Sequence, residues 1–84
     1  MTTKTQLENT LRTMPGVDKE KVEVVGDRTL VATVVSGSFR DQDEADRQAM
    51  VWRFLRERIG SDALQNIEFI FTNAPDESAP QGAS

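Results

Sequence analysis

The spacing of apolar residues changes from that of a β-strand to that of a helix within the stretch Leu30-Val-Ala-Thr-Val-Val-Ser-Gly-Ser-Phe-Arg-Asp-Gln-Asp-Glu-Ala-Asp-Arg-Gln-Ala-Met-Val51. Residues 30–35 are rich in β-branched side chains and apolar on both faces, so they predict a central strand that is well covered. The pattern breaks at Ser36–Phe39, and residues 42–59 then follow a helical period with Asp41 as the predicted N-cap. A strand and a long helix joined by a short turn therefore form the centre of the predicted fold.

Two segments before this stretch supply the first elements. Thr3 and Gln6 have the spacing of a capping box, which predicts a first helix over residues 4–14. Residues 22–25 alternate apolar and polar side chains, and a short glycine-containing connection separates them from residues 30–35. Two such runs around a short connection indicate a β-hairpin.

The segment after the long helix predicts a third strand. Ile67, Phe69 and Phe71 recur at every second position, which places their side chains on one face. A hairpin followed by a helical crossover makes the third strand parallel to the second, because such crossovers are right-handed and return to the same sheet. The predicted fold class is α+β, with the order αββαβ, a three-stranded mixed sheet and both helices packed on one face.

Length and composition limit the class of protein. Eighty-four residues make one domain, which we assign to residues 1–72, because residues 73–84 turn to small and polar types and predict a disordered tail. The chain has no apolar run of about 20 residues and no signal-peptide core near Met1, so we expect a cytoplasmic location without a membrane partner. The net charge of -4 disfavours a nucleic-acid partner, while leaving room for a local basic patch.

The sequence contains few residues that could act as catalytic groups. The sequence contains neither histidine nor cysteine, and no serine stands in register with a recognisable base. The acidic run from Asp41 to Asp46 fits the capping of a helix N-terminus better than a metal site. We therefore expect no enzymatic activity, no metal and no cofactor.

The region from Ser36 to Val51 resembles the signature of BolA-like proteins, in which a Phe-x-Gly-Lys turn leads to an Arg-His pair on a helix. Phe39, Arg47 and Val51 match that pattern without a gap, and Thr72-Asn-Ala-Pro-Asp-Glu77 resembles the family's Thr-x-x-Pro-Glu ending. The resemblance implies the αββαβ fold of that family, which is similar to the class II KH fold. It also implies a regulatory role through protein contact, with a monothiol glutaredoxin as partner.

The same region departs from the family where its members supply iron–sulfur ligands. Gln48 stands at the position of the family histidine, Asp41 and Gln42 replace the Gly-Lys pair, and the first hairpin loop has shrunk to Gly26-Asp27-Arg28. A neutral amide is a poor iron ligand beside thiolate and imidazole. We therefore expect this chain to contribute no ligand to a cluster of the kind that family members share with glutaredoxins.

Phe39, Arg47 and Trp52 are the predicted partner-contacting residues. Phe39 and Arg47 match the family pattern, and a tryptophan at the edge of an apolar stripe is a frequent interface anchor. The competing interpretation is structural, with both aromatic rings packed on the core and Arg47 supporting the fold. Together these residues favour a non-enzymatic BolA-like regulatory or adaptor protein.

Arg53, Arg56 and Arg58 suggest an alternative function near the end of the long helix. Such a cluster could contact phosphates, which would make the chain a KH-type nucleic-acid-binding module. The competing interpretation is that cations are favourable near a helix C-terminus and that Arg53 pairs with Glu57. Asp62 lies where a KH domain carries its phosphate-clamping loop, so we rank this alternative second. The oligomeric state stays open.

Overall fold

The structure is a computed structural model, and it describes residues 1–76. The helices and strands within that range are α1 (Lys4–Arg12), β1 (Glu23–Gly26), β2 (Leu30–Val35), α2 (Glu44–Ile59) and β3 (Ile67–Asn73). Short 3-10 helices at Lys19–Lys21, Gly37–Phe39 and Asp62–Asn66 lie between them. The α+β class and the order αββαβ predicted from the sequence are therefore confirmed.

The three strands form one mixed sheet in the order β1-β2-β3. β1 runs antiparallel to β2, and β3 runs parallel to it, so the hairpin and the crossover have the predicted directions. Both helices pack on the same face of the sheet. The core that they share with the inner side of the strands includes Leu7, Leu11, Val24, Ala32, Val34, Val51, Leu55 and Ile70.

The start of α2 differs from the prediction. The N-cap is Asp43 rather than Asp41, because the Asp43 carboxylate accepts a hydrogen bond of 2.9 Å from the backbone N–H of Asp46. Residues Gly37–Phe39 form a 3-10 turn, and Gln42 N–H donates to the Phe39 carbonyl, which delays the helix by two residues. The acidic run thus includes the helix cap that was expected of it.

α1 begins as its sequence predicts and ends early. Thr3 Oγ1 accepts a hydrogen bond of 3.0 Å from Gln6 N–H, which is the expected N-cap contact. The helix ends at Arg12 rather than at residue 14. Buried Ser36 then fixes the turn that follows, because its hydroxyl donates to the Gly16 carbonyl at 2.9 Å and accepts from Ser38 N–H.

The predicted face of β3 is wrong for Phe69 and Phe71. Leu30 pairs with Ile67 whereas Val31 pairs with Phe69, so Glu68 is an extra residue in the ladder. Such a bulge shifts the alternation of side chains by one position. Ile67 and Ile70 are consequently buried, while Phe69 and Phe71 remain 43% and 47% exposed on the outer side.

β2 is central, as predicted, but only its inner side is fully covered. Leu30, Ala32 and Val34 are completely buried beneath the helices. On the outer side Val31 and Thr33 are half-buried, because the described residues place no helix over them. The prediction that the strand is well covered on both faces is therefore wrong for Val31, whereas Val35 at the end of the same side is 2% exposed, as predicted.

The packed domain extends beyond the predicted boundary at residue 72. Asn73 ends β3, Ala74 is 1% exposed, and Arg40 forms an ion pair of 3.2 Å with Asp76. The rest of the predicted tail, residues 77–84, lies outside the described residues. Within residues 1–76, no helix combines the length and apolar character that a bilayer span requires.

Gly26 permits a test of the hairpin. Its φ is +114°, and a Cβ there would lie 2.1 Å from the Thr29 carbonyl oxygen, so Gly26→Ala meets both backbone strain and a clash. We expect the substitution to lower the free energy of unfolding by about 1–3 kcal/mol, measured by urea denaturation. Gly37→Ala is the matched control, because a Cβ at Gly37 meets no atom within 4 Å. Equal unfolding midpoints for the two variants would contradict this account of the turn.

Candidate interaction surface on the open face of the sheet

The side of the sheet opposite the helices carries a continuous group of side chains. Strand register places Val25, Val31 and Phe69 in one row across the three strands. A second row contains Glu23, Thr33 and Phe71. We call these six residues, together with the bulge residue Glu68, the open face.

The open face is the main exposed apolar surface of the described chain. Residues 1–76 expose four large hydrophobic side chains, and three of them, Val25, Phe69 and Phe71, belong to this face. The rings of Phe69 and Phe71 contact each other edge to face, with centroids 4.8 Å apart and planes inclined by 74°. Apolar side chains exposed singly are ordinary, whereas adjacent ones mark a surface suited to binding.

The charges of the open face are all negative. The three strands contain no lysine or arginine, and their charged residues are Glu23 on β1 and Glu68 on β3. Both carboxylates are exposed, and neither has an ion-pair or hydrogen-bond partner within the described part of the chain. The face therefore combines an apolar centre with an unpaired carboxylate on each edge strand.

Phe39 and Arg47 lie inside the fold and contact each other. Phe39 is completely buried, and Arg47 is 8% exposed, with its guanidinium 5.8 Å from the centroid of the Phe39 ring. Arg47 Nε donates to the carbonyls of Phe39 at 3.0 Å and Gln42 at 2.9 Å, and Nη1 donates to the Thr72 carbonyl at 3.1 Å. These contacts support the fold, and a role for the two residues at a partner stays a prediction.

Gln48 takes part in a hydrogen-bond network that joins α2 to β3. Its Nε2 donates to the Ile70 carbonyl at 2.7 Å and to Glu44 Oε1 at 3.1 Å. Its Oε1 accepts from the indole N–H of Trp52 at 3.0 Å, and Glu44 Oε1 also accepts from the Thr72 hydroxyl. The network joins α2 to β3, so the donor and acceptor groups of the Gln48 amide are engaged within the fold.

Trp52 lies on the helical side of the molecule, away from the open face. Its ring is half-buried and packs against the core, in agreement with the structural interpretation. Its remaining exposed surface leaves the predicted partner contact untested. The structure thus joins Phe39 to Arg47 directly and Trp52 to β3 through Gln48, and brings none of the three to the open face.

Arg53, Arg56 and Arg58 are exposed on α2 but do not share one side of it. Successive helical residues are about 100° apart, so Arg58 is turned roughly 140° from Arg53 around the axis. Arg53 lies beside the Met14-Pro15 turn, in a groove that Phe54 also lines. The guanidinium of Arg58 lies over the Phe54 ring, 5.0 Å from its centroid. Within residues 1–76, none of the three arginines forms an ion pair, including the predicted pair of Arg53 with Glu57.

Metal chemistry has no prepared site in the described range. No group of three or more acidic side chains among residues 1–76 is placed to hold an ion. Asp43 is committed to capping α2. Among the described residues, the open face is the strongest candidate surface, because it brings three exposed apolar side chains together.

The open face was not predicted from the sequence, because the bulge at Glu68 changes which side of the sheet Phe69 and Phe71 occupy. Strict alternation from Ile67 places both phenylalanines in the core. A usable signal was nevertheless present, since a three-stranded sheet with both helices on one side must leave its other face uncovered. The β-branched residues Val25 and Val31 lie on that uncovered side.

Arg47 permits a test of the structural role. Arg47→Met removes the charged donor from three backbone carbonyls, which should lower the free energy of unfolding by about 3 kcal/mol. Arg47→Lys keeps the charge but loses the planar fork, so its stability should lie between those of the parent and Arg47→Met. Exposed Arg56→Met, the matched control, should change the stability by less than about 0.5 kcal/mol. Chemical denaturation of the parent and the three variants measures their free energies of unfolding. Similar losses of stability for Arg47→Met and Arg56→Met would contradict the structural role of Arg47.

No family model, curated protein or solved structure was found to match this chain. The resemblance to BolA-like proteins accordingly stays a prediction from the residues between Ser36 and Val51. The element order and the mixed three-stranded sheet confirm the predicted αββαβ arrangement, and they do not test the family.

Proposed function

We propose that this chain is a non-enzymatic regulatory or adaptor protein that acts through protein–protein contact at its open face. The observation that carries the proposal is the group of half-exposed side chains of Val25, Phe69 and Phe71, which lie beside Val31 in two adjacent rows of the open face. Leaving adjacent apolar side chains in water is unfavourable by about 25 cal/mol per Å² of surface. A partner that covers them recovers this free energy, and aromatic side chains are enriched at such contacts.

The BolA-like resemblance supports the same class of function. Phe39 and Arg47, two of the residues that carry the resemblance, contact each other and hold the turn that leads into α2. Gln48 bonds to the Ile70 carbonyl and presents an amide where the family has imidazole. We therefore propose a monothiol glutaredoxin as the partner, bound without an iron–sulfur ligand from this chain.

The first test replaces Phe69 with the photo-crosslinking residue p-benzoylphenylalanine in the full-length protein. Phe69 belongs to the open face and is 43% exposed, so irradiation in the producing cells should join the chain to a protein. Mass spectrometry of the adduct identifies the partner, and a monothiol glutaredoxin is the expected product.

The control places the same residue at Ala49, which is exposed on α2 at the opposite side of the sheet. Adducts should form from position 69 and not from position 49. Position 69 yielding no protein adduct would remove the adaptor proposal. Adducts that contain only other proteins would keep the adaptor role and remove the glutaredoxin.

A second candidate function, nucleic-acid binding, is favoured by the exposed arginine end of α2. Arg53 and Arg56 are three residues apart and therefore neighbours on the helix surface, and neither is paired within residues 1–76. The acidic open face lies on the other side of the molecule, so its carboxylates do not border this end of α2. These two arginines could approach one phosphate backbone together.

The second candidate predicts strongly salt-dependent binding. A fluorescent single-stranded oligonucleotide and a duplex should each show anisotropy that falls steeply as salt rises. Arg53→Ala with Arg56→Ala should weaken binding about equally for all sequences and lower the salt slope by about one per lost phosphate contact. Exposed Lys19→Ala is the control and should change neither value. No anisotropy change at low salt would remove this candidate.

A further inference from the structure

The open face has a charge pattern that narrows the kind of partner it can bind. Glu23 lies on one edge strand and Glu68 on the other, with Val31 between them on β2. Both carboxylates are exposed and unpaired in the described part of the chain, and the strands supply no cation to neutralise them. A partner gains ion pairs at both edges only if basic side chains flank its own apolar surface.

The width of the face fits one α-helix. Two strand spacings of about 4.8 Å separate β1 from β3, so the face is roughly 10 Å wide. An α-helix with its side chains has a diameter of about 10–12 Å. A single amphipathic helix laid on the sheet therefore spans the apolar rows and brings its two flanks over Glu23 and Glu68.

Strand addition at the edge of β3 is a poorer fit. The carbonyls of Ile70 and Thr72 accept hydrogen bonds from the side chains of Gln48 and Arg47 on α2. An added strand would have to compete with both donors at those carbonyls. The partner segment is therefore expected on the face of the sheet rather than at this edge.

A second copy of the chain is also a poorer fit. Two open faces in contact would bring four carboxylates together, and the strands supply no cation to pair with them. A partner with basic side chains would instead pair with these carboxylates.

We infer that the open face binds a basic amphipathic helix of the partner protein. The apolar stripe of that helix covers Val25, Val31, Phe69 and Phe71, while lysine or arginine on its flanks pairs with Glu23 and Glu68. This inference rests on the proposed function and specifies the chemistry of the segment that the open face recognises.

Three synthetic helical peptides with the same leucine stripe test the inference. Their flanking positions carry lysine, glutamine or glutamate, and each is titrated into the ¹⁵N-labelled full-length protein at low salt. Amide shifts should centre on Val25, Val31, Phe69 and Phe71, with the lysine peptide binding about tenfold more tightly than the glutamate peptide, because each surface ion pair contributes a factor of a few. Raising the salt to about 0.5 M should remove most of the difference.

Variants that remove the two carboxylates test whether Glu23 and Glu68 cause the preference for the lysine peptide. Glu23→Gln with Glu68→Gln keeps the shape of the face and should reduce the preference for lysine over glutamate to less than about threefold. Both positions are exposed, so folding should be unaffected. Glu57→Gln, an exposed change on α2, is the matched control and should keep the tenfold preference.

Equal affinities for the lysine and glutamate peptides would overturn the basic character of the partner. Crosslinking from position 69 would then still uphold the adaptor proposal. Absence of shifts on the open face with all three peptides, or shifts confined to α2, would also overturn the inference. The same holds if a uridine oligonucleotide or phosphatidylglycerol vesicles shift the open face while the lysine peptide does not. Loss of the position-69 adducts, by contrast, removes the proposed function itself.

Discussion

The buried guanidinium of Arg47 joins the three parts of the molecule that determine its surfaces. It donates to carbonyls in the turn before α2 and to the Thr72 carbonyl in β3. A charged group held away from water is stable only when its donors are satisfied, so the turn, the helix and the strand must meet at this point. The same contact, with that of Gln48, occupies carbonyls along β3 and leaves the outer face of the sheet as the accessible surface.

The sequence was informative wherever a local pattern had a single structural solution. The Thr3 cap, the hairpin at Gly26 and the crossover into β3 follow from capping and turn chemistry together with the handedness of crossovers. Non-local contacts decided the remainder. The start of α2 depended on the 3-10 turn at Gly37–Phe39, and the exposure of Phe69 depended on how β3 registers with β2. Neither is encoded in the period of one segment.

Gln48 has a structural role in this fold. An imidazole there could offer a lone pair to iron, whereas the Gln48 amide donates to Ile70 and accepts from Trp52 within the fold. The network with Glu44 and Thr72 connects the helix to the edge strand. The Gln48 amide is thus engaged within the fold, and the adjacent exposed apolar side chains of the described chain lie on the open face, on which the functional proposal rests.

The two candidate functions use opposite sides of the molecule. The strands carry two glutamates and no cation, while α2 carries four of the ten lysine and arginine residues, Arg47 among them and buried. The net charge of -4 is therefore unevenly distributed, with an acidic open face on the sheet and a more basic C-terminal end of α2. Opposite poles steer partners of opposite charge to different sides, because each pole's field falls off within about 10 Å at ordinary salt. A protein on the open face and a phosphate backbone at Arg53 and Arg56 would not compete for the same surface, so charge changes on one side leave the other side available as an internal control.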